Sequence, residues 1–175
     1  MAPAVPHLDD GVVALRLPAP TDVDAITEAC QDPEIPRWTR VPSPYTRDHA
    51  VEFVERSARG WNHGTDAPFV IVDLSTGELL GAIGVHRLGG EDDGPEVGYW
   101  LKREARGRGV ATRALRLVTD WACNERGFRL LLQADVRNLA SRRVAEKAQF
   151  RYIGAGTAPP GCGECKTMAV YELHP

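Results

Sequence analysis

Two adjoining segments decide the reading of this chain: Val97-Gly98-Tyr99-Trp100-Leu101, then Arg106-Gly107-Arg108-Gly109-Val110-Ala111-Thr112. The first is an apolar run of strand character. The second opens an amphipathic run, Val110 to Cys123, with apolar residues at helical spacing. A glycine-rich turn that feeds a helix leaves several backbone N–H groups without intrahelical partners, all pointing one way. With the helix dipole behind them they form an anion site suited to phosphate. The small residues Gly107, Gly109 and Ala111 let a diphosphate come close to the backbone, and Arg103, Arg106, Arg108 and Arg113 are expected to add positive charge. A solvated surface turn is the plain alternative.

The phosphate ligand is narrowed by elimination. No glycine pair is followed by Gly-Lys-Ser/Thr, so the P-loop pattern fails. Gly107-x-Gly109-x-x-Thr112 puts threonine where a dinucleotide fingerprint needs its third glycine, although Asp135 stands where a ribose-binding acid would. That fingerprint also belongs to the first strand–helix turn of its domain, and this turn comes late in the chain.

Arg106-x-x-Gly109-x-Ala111 resembles the Arg/Gln-x-x-Gly-x-Gly/Ala acyl-CoA loop of the GNAT superfamily of N-acetyltransferases. The flanks resemble it too: Val97 to Leu101 before the loop, then Asn138-x-x-Ser141 and Glu146-Lys147-x-x-Phe150. The combination is most similar to the RimJ/RimL-type branch, which acetylates N-termini of ribosomal proteins, and it covers Glu96 to Phe150. The resemblance implies acetyl-CoA as cofactor. It also implies a single α/β domain over residues 1–175, with a mixed sheet of about seven strands splayed at the acyl-CoA cleft. Its cofactor contacts would be Trp100, Leu101, Arg106, Gly107, Arg108, Gly109, Val110, Ala111, Thr112, Asn138 and Arg142. Trp38, Arg40 and Tyr45 fall where the family builds its acceptor wall. Two positions depart from the family pattern. Ala145 replaces the usual tyrosine acid, and Gln149 replaces a glycine.

Composition sets the outer bounds. The chain has 175 residues, 43% hydrophobic and 26% charged, which is one domain's worth of ordinary globular sequence. The net charge of -3, with no basic tract interleaved with aromatics, gives no reason to expect nucleic acid. No apolar run approaches the roughly 20 residues that span a bilayer. Met1 to Pro6 has neither the basic start nor the apolar core of a signal peptide, so a cytoplasmic protein is expected. Its four cysteines are accordingly read as reduced thiols, with Cys162-Gly163-Glu164-Cys165 a Gly/Pro-rich turn and no metal site.

The element order reads β-α-α-β-β-β-α-β-α-β-β. Strand Val12–Leu17 precedes a helix from Thr21 to about Cys30. Prolines 33 to 44 enclose Arg37 to Arg40 in a loop. A helix opens at Thr46 and ends near Gly60. Ser75-Thr76-Gly77 marks a hairpin, Glu96–Leu101 and Leu130–Ala134 flank the loop and its helix, and Asn138 caps a last helix. Tyr152–Gly154 and Met168–Leu173 close the sheet.

Acetyl transfer from a thioester to an amine requires a neutral amine and a proton for the departing thiolate. Glu96, at the start of the strand beside the cleft, is the economical base, directly or through a water. Ser141 matches the serine that serves as acid in RimL-like enzymes, and it lies four residues before Ala145 on the same helix face. An α-amine near pKa 8 needs under about 1 kcal/mol to become neutral at cytoplasmic pH, whereas a lysine needs roughly 4 kcal/mol. One modest carboxylate therefore suits a protein N-terminal α-amine. A small-molecule amine (antibiotic, polyamine or amino acid) is the rival acceptor, and a non-catalytic acyl-CoA sensor the rival class. Glu91-Asp92-Asp93 would steer a cationic acceptor. Monomer and homodimer stand equal on this sequence.

Overall fold

The computed structural model describes residues 4–89 and 94–175, so the acidic turn at residues 91–93 lies outside the described residues. Eight strands form one sheet: β1 Leu8–Asp9, β2 Val13–Arg16, β3 Asp66–Asp73, β4 Leu79–His86, β5 Glu96–Leu101, β6 Leu130–Asp135, β7 Arg151–Thr157 and β8 Thr167–Leu173. Their spatial order is β1-β2-β3-β4-β5-β6-β8-β7. About seven strands were expected; the eighth is β1, whose two residues pair with Ala14 and Leu15. Five helices cover the sheet: α1 Val23–Ala29, α2 Glu34–Trp38, α3 Arg47–His63, α4 Val110–Thr119 and α5 Leu139–Lys147. A wide π-type turn, Asp120–Glu125, prolongs α4, and Gly127 ends it at φ +71°. No described helix is long and apolar enough to cross a membrane.

The prolines of 33–44 read as a loop, yet Glu34–Trp38 is helical. Pro36 sits in the first turn, where its missing N–H has no partner to lose. Helix α3 begins as expected, with Thr46 accepting from the His49 amide at 3.4 Å, but it runs past Gly60 to His63 before Gly64 closes it in the left-handed region.

Two apolar cores lie on the two faces of the sheet. In the larger, Trp61, Phe69 and Trp121 pack with ring centroids 5.9–6.2 Å apart beneath α4, whose Val110, Ala114 and Val118 are buried. The smaller gathers Val23 and Ile26 of α1, Ala50 and Val54 of α3, and Val70 and Val72. Strand alternation sorts β5 between them: Val97, Tyr99 and Leu101 face the first core, while Trp100 packs on the second.

The pairing of β5 with β6 positions the site. All other neighbours are antiparallel; this pair is parallel and holds only at Glu96↔Leu131 and Val97↔Leu132. Beyond it, β6 stays paired to β8 as far as Asp135, and β5 stays paired to β4 as far as Leu101. The sheet thus splays between Gly98–Leu101 and Gln133–Asp135, as the family resemblance implied, and two strand edges face each other across the gap.

The four cysteines are not all reduced. Cys162 and Cys165, in the β7–β8 connection, form a disulfide across a turn that brings their Cα atoms within 5.5 Å. Cys30 and Cys123 are free and buried, and burial pushes the Cys30 thiol up to about 12.

Candidate active site

The loop after β5 has the shape its glycines demand. Gly107 and Gly109 adopt φ +72° and +76°, and a Cβ at either would meet nothing within 4 Å. Helix α4 starts directly at Val110 with no side-chain cap, and its first backbone acceptor is reached only by Arg113 N, which donates to Gly109 O at 3.1 Å. The amides of residues 110–112 therefore project from the helix end over open space, which fits a diphosphate.

The loop's arginines are less available than their number suggests. Arg103 and Arg106 both pair with the buried carboxylate of Asp32, at 3.1 and 2.8 Å, and Arg113 pairs with Asp10 at 2.6 Å. Arg106 also donates to Leu101 O at 2.9 Å, so its guanidinium fastens the loop to the strand that precedes it. Arg108 is exposed at the tip.

On the α5 side of the gap, Asn138 caps the helix: its side chain accepts from Ser141 N at 3.1 Å. The Ser141 hydroxyl lies 3.0 Å from the phenol of Tyr99 on β5. Burial pushes that phenol up to about 12, against the opposing pull of the Ser141 bond, so it stays protonated. Either hydroxyl can donate in this pair; when the phenol donates to Ser141 Oγ, the serine proton is free to point into the gap. Sequence reading missed Tyr99; period-2 alternation along Val97, Tyr99 and Leu101 was the signal that it faces this helix. Arg142 is turned toward the sheet, donating to Tyr171 Oη at 3.1 Å and to Val136 O at 3.0 Å. Ala145 is fully buried. Gln149 adopts φ +68°, the left-handed geometry that the family's glycine supplies. Gln149→Gly should therefore stabilise the fold by about 0.5–1 kcal/mol, read as a raised urea midpoint.

The opposite face carries a cavity of about 300 Å³ lined by Arg40, Asp66, His86, Arg87, Glu96, Gln133 and Pro159. Glu96 sits here, and Arg87 donates to its carboxylate at 3.0 Å. Register places Asp66, His86 and Glu96 in one row across β3, β4 and β5. His86 Nδ1 is 3.0 Å from Asp66 Oδ1. Beside that row, Gly84 faces Gly98, and Gly98 has open space above it.

Of the three expected wall residues, Arg40 lines this cavity. Trp38 lies by the end of β6, its ring 5.4 Å from the Arg137 guanidinium and its Nε1 donating to Glu34. Tyr45 packs into the second core and is not among the cavity's lining residues. The β7–β8 loop straps this wall down: Gly163 N donates to Thr39 O and Glu164 N to Arg37 O. A Cβ at Gly163 would fall 2.0 Å from Pro36 O.

Asp135 ends β6 as a structural anchor. Its carboxylate accepts from Arg137 Nε at 2.8 Å, from the Arg137 amide at 3.0 Å and from the Lys166 amide at 2.8 Å. The Arg137 guanidinium above all holds it well below the usual carboxylate range, despite burial. Asp135→Asn should cost about 2 kcal/mol at neutral pH. A depressed folded-state value contributes stability above the ordinary carboxylate pKa, about 4, and loses it as pH falls below that. Urea denaturation should therefore show the variant's deficit shrinking at pH 3.

The profile of the acetyltransferase (GNAT) domain family matches residues 13–151. The Bacillus subtilis (strain 168) protein YdaF, provisionally named a ribosomal N-acetyltransferase, is 36% identical over 78 residues, 44% of this chain and 43% of YdaF. YjcK of the same organism, a probable N-acetyltransferase, is 35% identical over 108 residues, 61% of this chain and 57% of its own. The chain thus spans about half the length of these curated relatives. Among solved structures, the ribosomal L7/L12 α-N-protein acetyltransferase RimL in complex with coenzyme A superposes with a TM-score of 0.84 at 19% identity, over 98% of both chains. Mycobacterium smegmatis RimJ in complex with CoA-disulfide gives 0.80 at 21% identity, over 97% of this chain and 86% of its own. With a split sheet, a glycine loop at a bare helix end and a profile spanning most of its length, this chain belongs to the GNAT family of acetyltransferases.

Proposed function

We propose that the protein transfers an acetyl group from acetyl-CoA to the α-amine of a protein N-terminus, by direct attack of the amine on the thioester. The carrying observation is the gap between β5 and β6, with the Tyr99–Ser141 hydroxyl pair on one face and the Glu96 cavity on the other. When bound, acetyl-CoA supplies the activated acetyl thioester.

The chain's residues divide the remaining work. Amides of residues 107–112 hold the diphosphate, and three or four such charge-assisted bonds at about 1.5–3 kcal/mol each supply most of a micromolar affinity. The open edge of β5 at Trp100 and Leu101 bonds the amide-rich arm as an added strand. Asn138 and Arg142 border the same gap from α5. Glu96, aided by the row it belongs to, draws in the ammonium and favours its loss of a proton. Ser141, aligned by Tyr99, protonates the departing sulfur. Trp38 and Arg40 line the approach of the acceptor, with Tyr45 bracing the segment behind them.

An α-amine acceptor is supported by the low cost of neutralising it and by the names of YdaF, RimL and RimJ. The cytoplasm is the compartment this reading assigns, with residues 1–175 acting as one catalytic unit. The test is thiol release from acetyl-CoA against a panel of N-terminal peptides, Nα-blocked lysine peptides and small amines. Highest kcat/KM with free N-termini is expected. Preference for a small amine would replace the acceptor assignment, and cofactor binding with no thiol release would mark a sensor.

A further inference from the structure

The cavity on the acceptor face holds a second titratable group that the Glu96 reading does not use. His86 stands between two carboxylates in one register row, Asp66 on β3 and Glu96 on β5. Because an ionised carboxylate only accepts, the 3.0 Å contact requires His86 Nδ1 to carry the proton toward Asp66 Oδ1. In the neutral ring Nε2 then bears the lone pair. Asp66 is itself fixed: Thr65 Oγ1 donates to its Oδ2 at 2.9 Å, and Gly60 of α3 closes against its side chain. The ring leans back over Gly84, where a Cβ would meet Cε1 and Nε2 at 3.3 Å. Gly84 is the cross-strand partner of Gly98, the bare residue at which the sheet begins to splay. The basic nitrogen therefore overhangs a strip of naked backbone beside the gap. Glu96, by contrast, has its carboxylate engaged by Arg87.

We propose that His86 is the general base of the acceptor site, with Asp66 as the residue that sets its tautomer and Glu96 as the carboxylate that attracts the ammonium. The inference rests on the amine-acetylation reading and assigns its proton. The entering ammonium gives one N–H proton to His86 Nε2, and the freed lone pair attacks the thioester carbon. As the N–C bond forms and the C–S bond breaks, the Ser141 hydroxyl gives its proton to the departing sulfur, and the amine's second proton passes across the gap to the Ser141 oxygen, which restores the hydroxyl. His86 returns its proton to solvent through the cavity, where its side chain is 44% exposed. Asp66 and Glu96 face the transient imidazolium and stabilise it; Arg87 and Arg40 oppose it from the cavity rim.

The test is steady-state kinetics of His86→Gln, His86→Ala and Asp66→Asn with N-terminal peptides of graded amine basicity. His86→Gln should lower kcat/KM about 10²-fold for the more basic amines and less for the weakly basic ones, with acetyl-CoA affinity unchanged. Added imidazole should restore part of the activity of His86→Ala, which a structural role would not allow. Asp66→Asn keeps the ring and should show a smaller loss with the same dependence on amine basicity, so the idea stays testable if either His86 variant folds poorly. Wild-type kinetics in His86→Gln across the series, with Glu96→Gln impaired, would overturn the assignment and return the proton to Glu96. If the wild-type protein acetylates no amine at all, the transfer reading and this base fall together.

Discussion

Gly109→Val should raise the acetyl-CoA dissociation constant at least tenfold, or about 1.4 kcal/mol, while the domain stays folded. Position 109 has φ +76° and nothing within 4 Å of its missing Cβ, so in the free protein a side chain would enter solvent. On the proposed binding mode that open space is where the diphosphate approaches the amides of α4, and a branched side chain would block it. The left-handed backbone adds about 1–2 kcal/mol of strain, which lowers Tm by several degrees without unfolding the chain. Gly109→Ala separates the two effects, since it carries most of the strain and little of the bulk. Calorimetry decides: an unchanged dissociation constant in the valine variant would place the phosphates somewhere other than this loop.

Ser141→Ala should lower kcat about 10²-fold, with acetyl-CoA affinity held within a few-fold. The Asn138 cap accepts from the backbone of Ser141, not from its hydroxyl, so the substitution leaves the helix start intact. What disappears is the helix hydroxyl held at the gap by Tyr99. Tyr99→Phe should give a smaller loss, because it removes the alignment but not the proton. Full turnover in Ser141→Ala would reduce Ser141 to a helix residue and pass the proton to water; full turnover there with a loss in Tyr99→Phe would make the phenol itself the donor.

These effects divide along what is legible in the sequence alone. The loop was readable because its message is local. Glycines at 107 and 109 state a backbone geometry by themselves, and the helix that follows declares its apolar face within four turns. The parallel β5–β6 pair and its splay came through resemblance, since nothing in Glu96–Leu101 says where pairing stops. Contacts between distant segments stayed hidden. Arg103 meets Asp32 at a separation of 71 residues and Arg113 meets Asp10 at 103, so four arginines that read as free charge are mostly committed. The Asp66–His86 contact joins the two far ends of a hairpin, and alternation alone does not report which polar side chains will touch. Helix α2 was hidden by its prolines, whose effect depends on which turn of a helix they occupy. The disulfide was set aside on expected compartment, whereas the turn of the β7–β8 connection brings the two cysteines together.

The interrupted pairing at Val97 has a bearing on traffic. A sheet is ordinarily a wall, and a ligand on one side is invisible to a ligand on the other. Here the wall is interrupted between β5 and β6, with the Tyr99–Ser141 pair on one side and the Glu96 cavity on the other. On the proposed reading the thioester would reach the gap from the α4–α5 side and the amine from the cavity side, and each product would leave on the side its parent entered. Neither would then queue behind the other, and the rate of exchange on one side would not depend on the length and bulk of whatever is attached on the other.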